Sequence, residues 1–305
     1  MKYSAGKMKI LKLEIDKKLA GKSLEKILRE NLGLSRREVS RAKFQPKGIC
    51  IDGKRQRITY RPSVGQNLEV CLAEMQEEKS RVKPCAGKLE ILYEDRDLLV
   101  VEKPGGIPCH PGRGHYEDSL GNRVADYLQK QGEGGVVRAV GRLDKDTAGL
   151  MVYAKNQMAA ARLSAQKQDG RFQKIYYALA KGKLEQREGD ITASIALMPG
   201  DKLKMQIHPQ GKTACTRYEV LKERENCTLV KCRIFTGRTH QIRVHMAGIG
   251  HPLLGDVLYG DGQNPVFDGL ALYAGKAEFY QPFTQEKIVL WGRDVKRWGI
   301  QRNFR

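Results

Sequence analysis

Several features that mark common protein classes are missing from this sequence. No run of about 18 consecutive apolar residues occurs, so no transmembrane helix is predicted. The first residues, MKYSAGKMKILKLEID, contain no continuous apolar core and no cleavage site, which argues against a secretory signal. There is neither a Walker loop nor a strand-borne GxGxxG turn, so the sequence predicts no nucleotide cofactor.

The cysteines are odd in number and form no CxxC pair. This pattern predicts neither a disulfide framework nor a structural zinc site. Reduced thiols are the simplest interpretation, and they indicate a cytoplasmic protein. The seven residues are Cys50, Cys71, Cys85, Cys109, Cys215, Cys227 and Cys232.

Acidic residues are few relative to basic ones. The sequence has 55 Lys and Arg against 35 Asp and Glu, a formal net charge of +20. Residues 1–72 contribute 18 Lys and Arg against 7 Asp and Glu, so +11 of the excess lies in about a quarter of the chain. Such an excess attracts polyanions, with nucleic acid first among them, and a basic surface that only keeps the protein soluble is the alternative.

The first 72 residues read as a small domain of helices and short strands. Apolar residues at helical spacing in 23–34 predict a helix that Gly33 ends. The capping-box pattern from Ser35 to Glu38 predicts the start of a second helix. The Asp52-Gly53 pair predicts a hairpin turn, and residues 67–72 predict a further strand.

This arrangement, with LSRRE, IDG and VGQNLEV in order, resembles the S4-type RNA-binding domain. The resemblance assigns residues 10–72 to that domain and makes Arg36, Arg37 and Arg41 candidate RNA contacts. Another small basic helix–hairpin domain is the alternative. Residues 73–87 are charged, with Pro and Gly, and are interpreted as a linker.

Residues 88–305 are predicted to form an α+β domain. Strands and helices are mixed without regular alternation, which favours a mixed, mainly antiparallel sheet over a doubly wound parallel one. Two strands are predicted around a charged turn in LEILYEDRDLLVVEK, and helices over 120–131 and 157–168. Further strands are predicted over 175–180, 214–220, 228–235 and 271–279.

Two polar blocks stand out in this domain. GRLDKDTAGLMVYAKN (141–156) places Arg142, Asp144 and neighbouring charges in a loop before a strand. An EF-hand is excluded because Ala148 and Lys155 occupy positions that need ligands. A surface turn is the plain structural alternative. In FTGRTHQIRVHMAGIGHPLLGDVLYG (235–260), the His240, His245 and His251 spacings do not suit a helical metal pair, so no metal is predicted.

These blocks resemble the signatures of RNA pseudouridine synthases of the RluA-like branch. GRLDKDTAGL is similar to that family's RLDxxTxGL, and FTGRTHQIRVH, KPGGIPCHPG and LALYAGKAEFYQPFT match further segments in the family's order over most of residues 88–290. Three positions depart from the pattern: Gly141 stands where many members have His, Ala148 where Ser is usual, and Tyr273 where His is frequent.

The resemblance implies a role for each matching residue. Asp144 is the catalytic carboxylate, acting through a covalent adduct or an elimination, and Arg243 is its basic partner. Tyr176 is the active-site tyrosine, with Tyr177 predicted on the opposite strand face. Arg142 fills the gap left by a flipped uridine, or simply contacts phosphate, and Arg238 contacts RNA phosphate or supports the structure. A surface phosphate contact is the alternative for Arg243. No cofactor is implied.

The sequence therefore predicts a monomeric enzyme that isomerises a uridine in structured RNA. Ribosomal RNA is the expected substrate, and transfer RNA remains open. Three other functions stay open from the residues alone: an RNA-binding module without catalysis, a nucleosidase or glycosidase that hydrolyses at C1′, and a ribosome assembly protein.

Overall fold

The computed structural model describes residues 8–73, 82–112, 114–133, 136–266, 268–296 and 298–299. The chain divides into two compact units with a boundary between residues 78 and 79. That boundary lies in the segment 73–87 predicted as a linker, of which residues 74–81 fall outside the described ranges. In the described part of the chain, no helix is long and apolar enough to cross a membrane.

The first unit begins with a strand that the sequence analysis missed, β1. Its elements are β1 (Met8–Glu14), α1 (Leu24–Lys26) continuing as a π-helical segment (Ile27–Asn31), α2 (Arg36–Phe44), β2 (Ile49–Ile51), β3 (Lys54–Arg55) and β4 (Asn67–Ala73). The strands form one antiparallel sheet in the order β1-β4-β2-β3.

Local signals place the other boundaries of this unit. The Ser35 side chain accepts from the Glu38 N–H at 3.2 Å while Glu38 accepts from the Ser35 N–H at 2.7 Å, so the predicted capping box is confirmed. Asp52 and Gly53 both have positive φ, as a tight hairpin turn between β2 and β3 requires.

The second unit is built on one large mixed sheet, which confirms the α+β prediction. The strands of the second unit are β5 (Glu90–Glu94), β6 (Leu98–Lys103), β7 (Arg138–Ala139), β8 (Ala148–Ala154), β9 (Gln173–Lys181), β10 (Glu188–Thr192), β11 (Ile195–Leu197), β12 (Met205–Ile207), β13 (Cys215–Glu223), β14 (Cys227–Ile234), β15 (Leu272–Tyr280) and β16 (Lys287–Trp291). Its helices are α3 (Leu120–Lys130), α4 (Gln157–Gln168), α5 (Gln241–Gly248) and a 3-10 turn (Arg293–Lys296).

The large sheet runs in the order β10-β13-β14-β9-β15-β8-β6-β5, with β16 beside β15 and β7 beside β8. Among the pairs described, β8–β15 is parallel and the others are antiparallel. Apolar side chains cover both faces. Tyr176 of β9 belongs to the core on one face and Tyr177 to the core on the other, as the alternation of a strand requires.

Gly149, the glycine of the GRLDKDTAGL block, sets how closely β8 approaches β15. It pairs with Ala274, which pairs in turn with Tyr176 of β9. Gly149 has φ +117°, and a Cβ at this position would lie 2.4 Å from the Ala274 carbonyl oxygen. Only glycine permits this close parallel pairing, so the spacing between β8 and β9 depends on it.

We expect Gly149→Ala to destabilise the second unit by at least about 2 kcal/mol, because both the backbone conformation and the contact with Ala274 become unfavourable. Thermal or urea unfolding measures the change. Gly112→Ala is the matched control, since Gly112 has no positive φ and a Cβ there meets nothing within 4 Å. Equal stability of the two variants would contradict the conclusion that only glycine permits the close pairing at position 149.

Candidate active site

Asp144 lies in the turn that precedes β8, at the wall of a cavity of about 680 Å³. Its carbonyl accepts a hydrogen bond from the Thr147 N–H at 3.2 Å, which closes the turn. The residue is half-buried. Residue 141 at the start of this turn has φ +83°, a region that favours the glycine found there.

Two side chains, one from the last residue of β6 and one from the segment that follows it, hold the main chain on both sides of Asp144. Cys109 Sγ accepts from the Leu143 N–H at 3.2 Å and donates to the Leu143 carbonyl at 3.1 Å. Lys103 Nζ donates to the Lys145 carbonyl at 2.7 Å. Lys103 also donates to the carbonyls of Pro104 and Ile107, so its three protons have three acceptors. Burial lowers the pKa of Lys103 to about 8.

Tyr176 lines the same cavity as Asp144, although 32 positions separate them in the sequence. The strand order brings them together, because β9 and β8 lie on either side of β15. Tyr176 is 6% exposed, and burial, followed by the nearby Asp144 charge, raises the pKa of its phenol. Tyr176 is therefore neutral at physiological pH and has a proton to donate.

The sequence analysis expected Arg243 to be the basic partner of Asp144. Its guanidinium fork is directed at Asp256 instead. Its Nε and Nη2 donate to the two oxygens of Asp256 at 2.8 and 2.7 Å. Both side chains are almost fully enclosed, 3% and 0% exposed. An unpaired cation would be costly at this depth, and Asp256 removes that cost. Burial alone would lower the pKa of Arg243. The hydrogen bonds and charge of Asp256, followed by the charge of Asp144, have the larger and opposite effect, so the pKa is raised.

Arg243 is further fixed by aromatic and imidazole groups. Its guanidinium lies 5.1 Å from the centre of the Tyr259 ring. The Tyr259 hydroxyl accepts from the Met205 N–H at 2.8 Å and bonds His240 Nδ1 at 2.9 Å. His240 has φ +55° at the start of α5. Burial lowers the pKa of His240, while the Asp144 charge opposes the shift, so His240 lies within electrostatic range of Asp144.

Asp256 and Tyr259 were missed as site residues by the sequence analysis. Both lie in GDVLYG, a part of the second block to which no role was given. The available signal was an acidic residue in an otherwise basic and apolar block. The Asp256 side chain also accepts from the N–H groups of Leu258 and Tyr259, at 3.0 and 3.1 Å, which ties the whole loop to Arg243.

Arg142 and Arg238 both line the cavity. Arg142 is exposed and donates through Nη2 to the hydroxyl of Thr239, which links the Asp144 turn to the segment before α5. Arg238 donates through Nε to the Thr213 carbonyl at 3.0 Å. Each guanidinium therefore has one hydrogen bond to the protein, and Arg142 is exposed whereas Arg238 is half-buried.

The other predicted RNA contacts belong to the first unit. Arg36, Arg37 and Arg41 are exposed on α2. Arg37 and Arg41 are four residues apart and share a face of the helix, and Phe44, 74% exposed, continues the same stripe.

Other carboxylates near Asp144 are committed elsewhere or face away. Asp169 lines the same cavity, and its Oδ2 accepts from Arg171 Nε and Nη2 at 3.0 and 2.7 Å. Asp146 lines a different cavity of about 350 Å³, together with Lys103.

The histidines considered for a metal site have protein partners instead. His245 bonds the Thr216 hydroxyl at 2.9 Å and the Ala193 carbonyl at 3.0 Å, and His251 bonds the Lys181 carbonyl at 2.9 Å. Over the described ranges, no three His, Cys, Asp or Glu side chains converge in a way that could hold a metal ion.

Comparison with known proteins gives a consistent result. The family described as RNA pseudouridylate synthase matches residues 97–248. An uncharacterised RNA pseudouridine synthase of Bacillus subtilis is 41% identical over 214 residues, 70% of this chain and 70% of the relative. The ribosomal large subunit pseudouridine synthase D of Nitrosomonas europaea is 34% identical over 289 residues, 92% of this chain and 83% of the relative.

A solved structure shares the fold of most of the chain. The human RNA pseudouridylate synthase domain containing 1 protein superposes with a TM-score of 0.55 at 26% identity, over 70% of this chain and 85% of the human chain.

We expect Lys103→Met to change how stability depends on pH. Lys103 titrates near 10.5 when unfolded and near 8 when folded, so between these values the unfolded state binds more protons. Lys103 therefore makes the stability of the wild type rise with pH between these two values. The free energy of unfolding, wild type minus variant, should increase by roughly 2–4 kcal/mol from about pH 7.5 to about pH 10.5.

Urea unfolding across this pH range is the measurement, and Lys155→Met is the matched control. Lys155 is buried against Glu94 and Glu133, and its pKa is raised. The stabilisation from Lys155 is present at neutral pH and is lost as pH rises through its folded pKa. The free energy of unfolding, wild type minus Lys155→Met, must therefore not increase with pH. If the free energy of unfolding, wild type minus Lys103→Met, did not depend on pH, the lowered pKa of Lys103 would be refuted.

Proposed function

The chain belongs to the RNA pseudouridine synthase family and is therefore an isomerase that acts on RNA uridine, and we propose that its substrate is ribosomal RNA and that Asp144 is its catalytic carboxylate. The observation that carries the assignment of Asp144 is the convergence of Asp144 and Tyr176 on one cavity, within electrostatic range of a buried Arg243.

The reaction needs a particular set of groups. The bond from ribose C1′ to N1 of uracil breaks, a bond from C1′ to C5 forms, N1 gains a proton and C5 loses one. No electrons or groups are exchanged with a second substrate. The enzyme must expose C1′ by taking the uridine out of its stack, hold the detached base and keep water away.

Asp144 serves this reaction as an ionised carboxylate at the cavity wall. It either attacks C1′ to form a glycosyl adduct or removes a sugar proton to give an elimination intermediate. Both routes require its carboxylate to be charged, and the cationic Arg243 lies within electrostatic range of it. Because Asp256 holds the Arg243 fork, Arg243 supplies a fixed field to Asp144 rather than a paired contact.

Tyr176 and Arg142 complete the proposed mechanism. The Tyr176 ring stacks on the detached uracil, and its neutral hydroxyl assists proton transfer. Arg142 leaves its contact with Thr239 and fills the space of the flipped uridine, since a guanidinium plane stacks on bases. Arg238 binds phosphate at the mouth of the cavity.

Ribosomal RNA as the substrate is supported by two features. Relatives that cover most of the chain are named for the large ribosomal subunit. The N-terminal unit combines a capped basic helix with a small antiparallel sheet, which suits an S4-type RNA-binding domain reading a large folded target. We assign residues 10–72 to this domain, 73–87 to a linker and 88–305 to the catalytic domain, in a monomer that acts in the cytoplasm. The free state of all seven cysteines fits a reducing compartment.

Replacement of Asp144 tests the catalytic proposal. We expect Asp144→Asn to reduce tritium release from ribosomal RNA labelled at uridine C5 by at least about a thousandfold, with RNA binding kept. The RNA is taken from a strain lacking the gene, and transfer RNA from the same strain is assayed in parallel. Release from transfer RNA alone would overturn the ribosomal assignment.

Asp169→Asn is the matched control, because it removes a carboxylate from the lining of the same cavity. This variant should keep its activity. If it lost activity and free uracil appeared with the wild type, a hydrolase with two carboxylates would explain the site instead. Absence of release from either RNA pool by folded, RNA-bound wild-type protein would favour a binding module without catalysis.

Removal of the α2 arginines tests the role of the N-terminal unit. The Arg36→Ala/Arg37→Ala/Arg41→Ala variant should bind ribosomal RNA more weakly, and the slope of log affinity against log salt should fall by about 2–3 because three phosphate contacts are lost. Filter binding at several salt concentrations measures it. The Lys12→Ala/Lys17→Ala/Lys18→Ala variant removes the same charge from β1 and the following turn and should change the slope less.

A further inference from the structure

We propose that Phe235, Arg233 and Lys167 form a second nucleotide subsite, which binds an unpaired nucleotide next to the target uridine by stacking its base and contacting its phosphate. The inference rests on the proposed function for the neighbouring Asp144. It assigns a role to residues that the catalytic proposal does not use.

Phe235 is an aromatic ring presented to solvent at the edge of the catalytic cavity. It follows the last residue of β14, and its side chain is 48% exposed. Its N–H donates to the Cys215 carbonyl at 3.1 Å, so the backbone that carries the ring is fixed to β13. An exposed aromatic ring on a rigid backbone loses little entropy when a base stacks on it.

Arg233 and Arg217 place positive charge against this ring. Their guanidinium carbons lie 4.9 and 5.6 Å from the Phe235 ring centre. Arg217 is neutralised by Asp190, which accepts from its Nε and Nη2 at 2.7 and 2.6 Å. Within the part of the chain that the structure describes, the Arg233 guanidinium makes neither a hydrogen bond nor an ion pair. It therefore keeps a full set of donors for a ligand.

Lys167 supplies a second uncommitted cation on α4. A side-chain carbon at residue 141 or 237 would lie 3.2 or 3.9 Å from Lys167 Nζ, so the ammonium stands between two glycines. Neither glycine has a side chain to cover it. Over the described residues, Lys167 too has no hydrogen-bond or ion-pair partner. A phosphate reaching this point would meet a bare ammonium beside exposed main chain.

The three side chains line the same cavity as Asp144. Gly141 lies three residues before Asp144 and Gly237 two residues after Phe235, so Lys167 connects the catalytic turn with the aromatic ring. An aromatic face flanked by cations is the usual platform for an unpaired base and its phosphate. A nucleotide within a stacked helix cannot offer its base face. Flipping the target uridine unstacks its neighbour, and this gives the subsite its occupant.

Steady-state kinetics of tritium release from labelled ribosomal RNA test the subsite. We expect Phe235→Ala to raise KM by about tenfold with little change in kcat, because the ring contacts a nucleotide that does not react. Phe235→Trp should restore the wild-type KM, since a larger ring also stacks. Arg233→Ala should raise KM, whereas Arg224→Ala, which removes the same charge at the other end of the β13–β14 hairpin, should not.

A loss of kcat for Phe235→Ala without a rise in KM, or no recovery with Phe235→Trp, would overturn the proposal. Ultraviolet crosslinking of ribosomal RNA to the Asp144→Asn protein, read by mass spectrometry, is independent of catalysis. A nucleotide adduct on the peptide containing Phe235 is expected. If the wild type released no tritium, the catalytic proposal would fail while the crosslink still decided the subsite, and a missing adduct would refute it.

Discussion

The main chain around Asp144 is held on both sides by side chains from one other segment, and the geometry of the site depends on this constraint. Cys109 bonds both the N–H and the carbonyl of Leu143, and Lys103 bonds the carbonyl of Lys145. A carboxylate in a polar turn would otherwise sample many positions. Here its neighbours are tied to the end of β6, so Asp144 keeps one position against the cavity wall. Preorganisation of this kind suits the catalytic role proposed for Asp144.

The buried pair of Arg243 and Asp256 fixes a second group near Asp144 in the same way. A lone guanidinium at 3% exposure would be strongly destabilising, so the cation is retained only because Asp256 matches its fork. The consequence is electrostatic. Asp144 lies near an arginine whose charge is partly compensated and whose fork is engaged by Asp256, so the two are not locked into a bidentate pair. Such a carboxylate remains available to a substrate, whereas one held in a bidentate pair would not.

Local signals predicted much of the fold. The capping box at Ser35, the Asp52-Gly53 turn and the runs that became β8, β9, β13, β14 and β15 were all identified, because each carries its own turn residue or apolar period. The strands β1, β7, β10, β11, β12 and β16 were missed. Charged residues interrupt β1 and β10, as in Glu188–Thr192, and β7, β11 and β12 are only two or three residues long, so they are strands because a neighbour pairs with them.

The sequence by itself determined the candidate groups of the site, because GRLDKDTAGL, KIYY and QIR resemble family motifs and supply a carboxylate, a tyrosine and an arginine. The partners of those groups were decided by the tertiary structure. Arg243 pairs with Asp256, thirteen positions away, through the fold of a loop, and Asp144 shares a cavity with Tyr176 because β8 and β9 both pair with β15, from late in the chain. Gly149 shows both contributions: its identity is local, but its reason is the main chain of Ala274, which no neighbour in sequence reveals. Long-range contacts of this kind depend on which surfaces pack, and packing is a property of the whole chain.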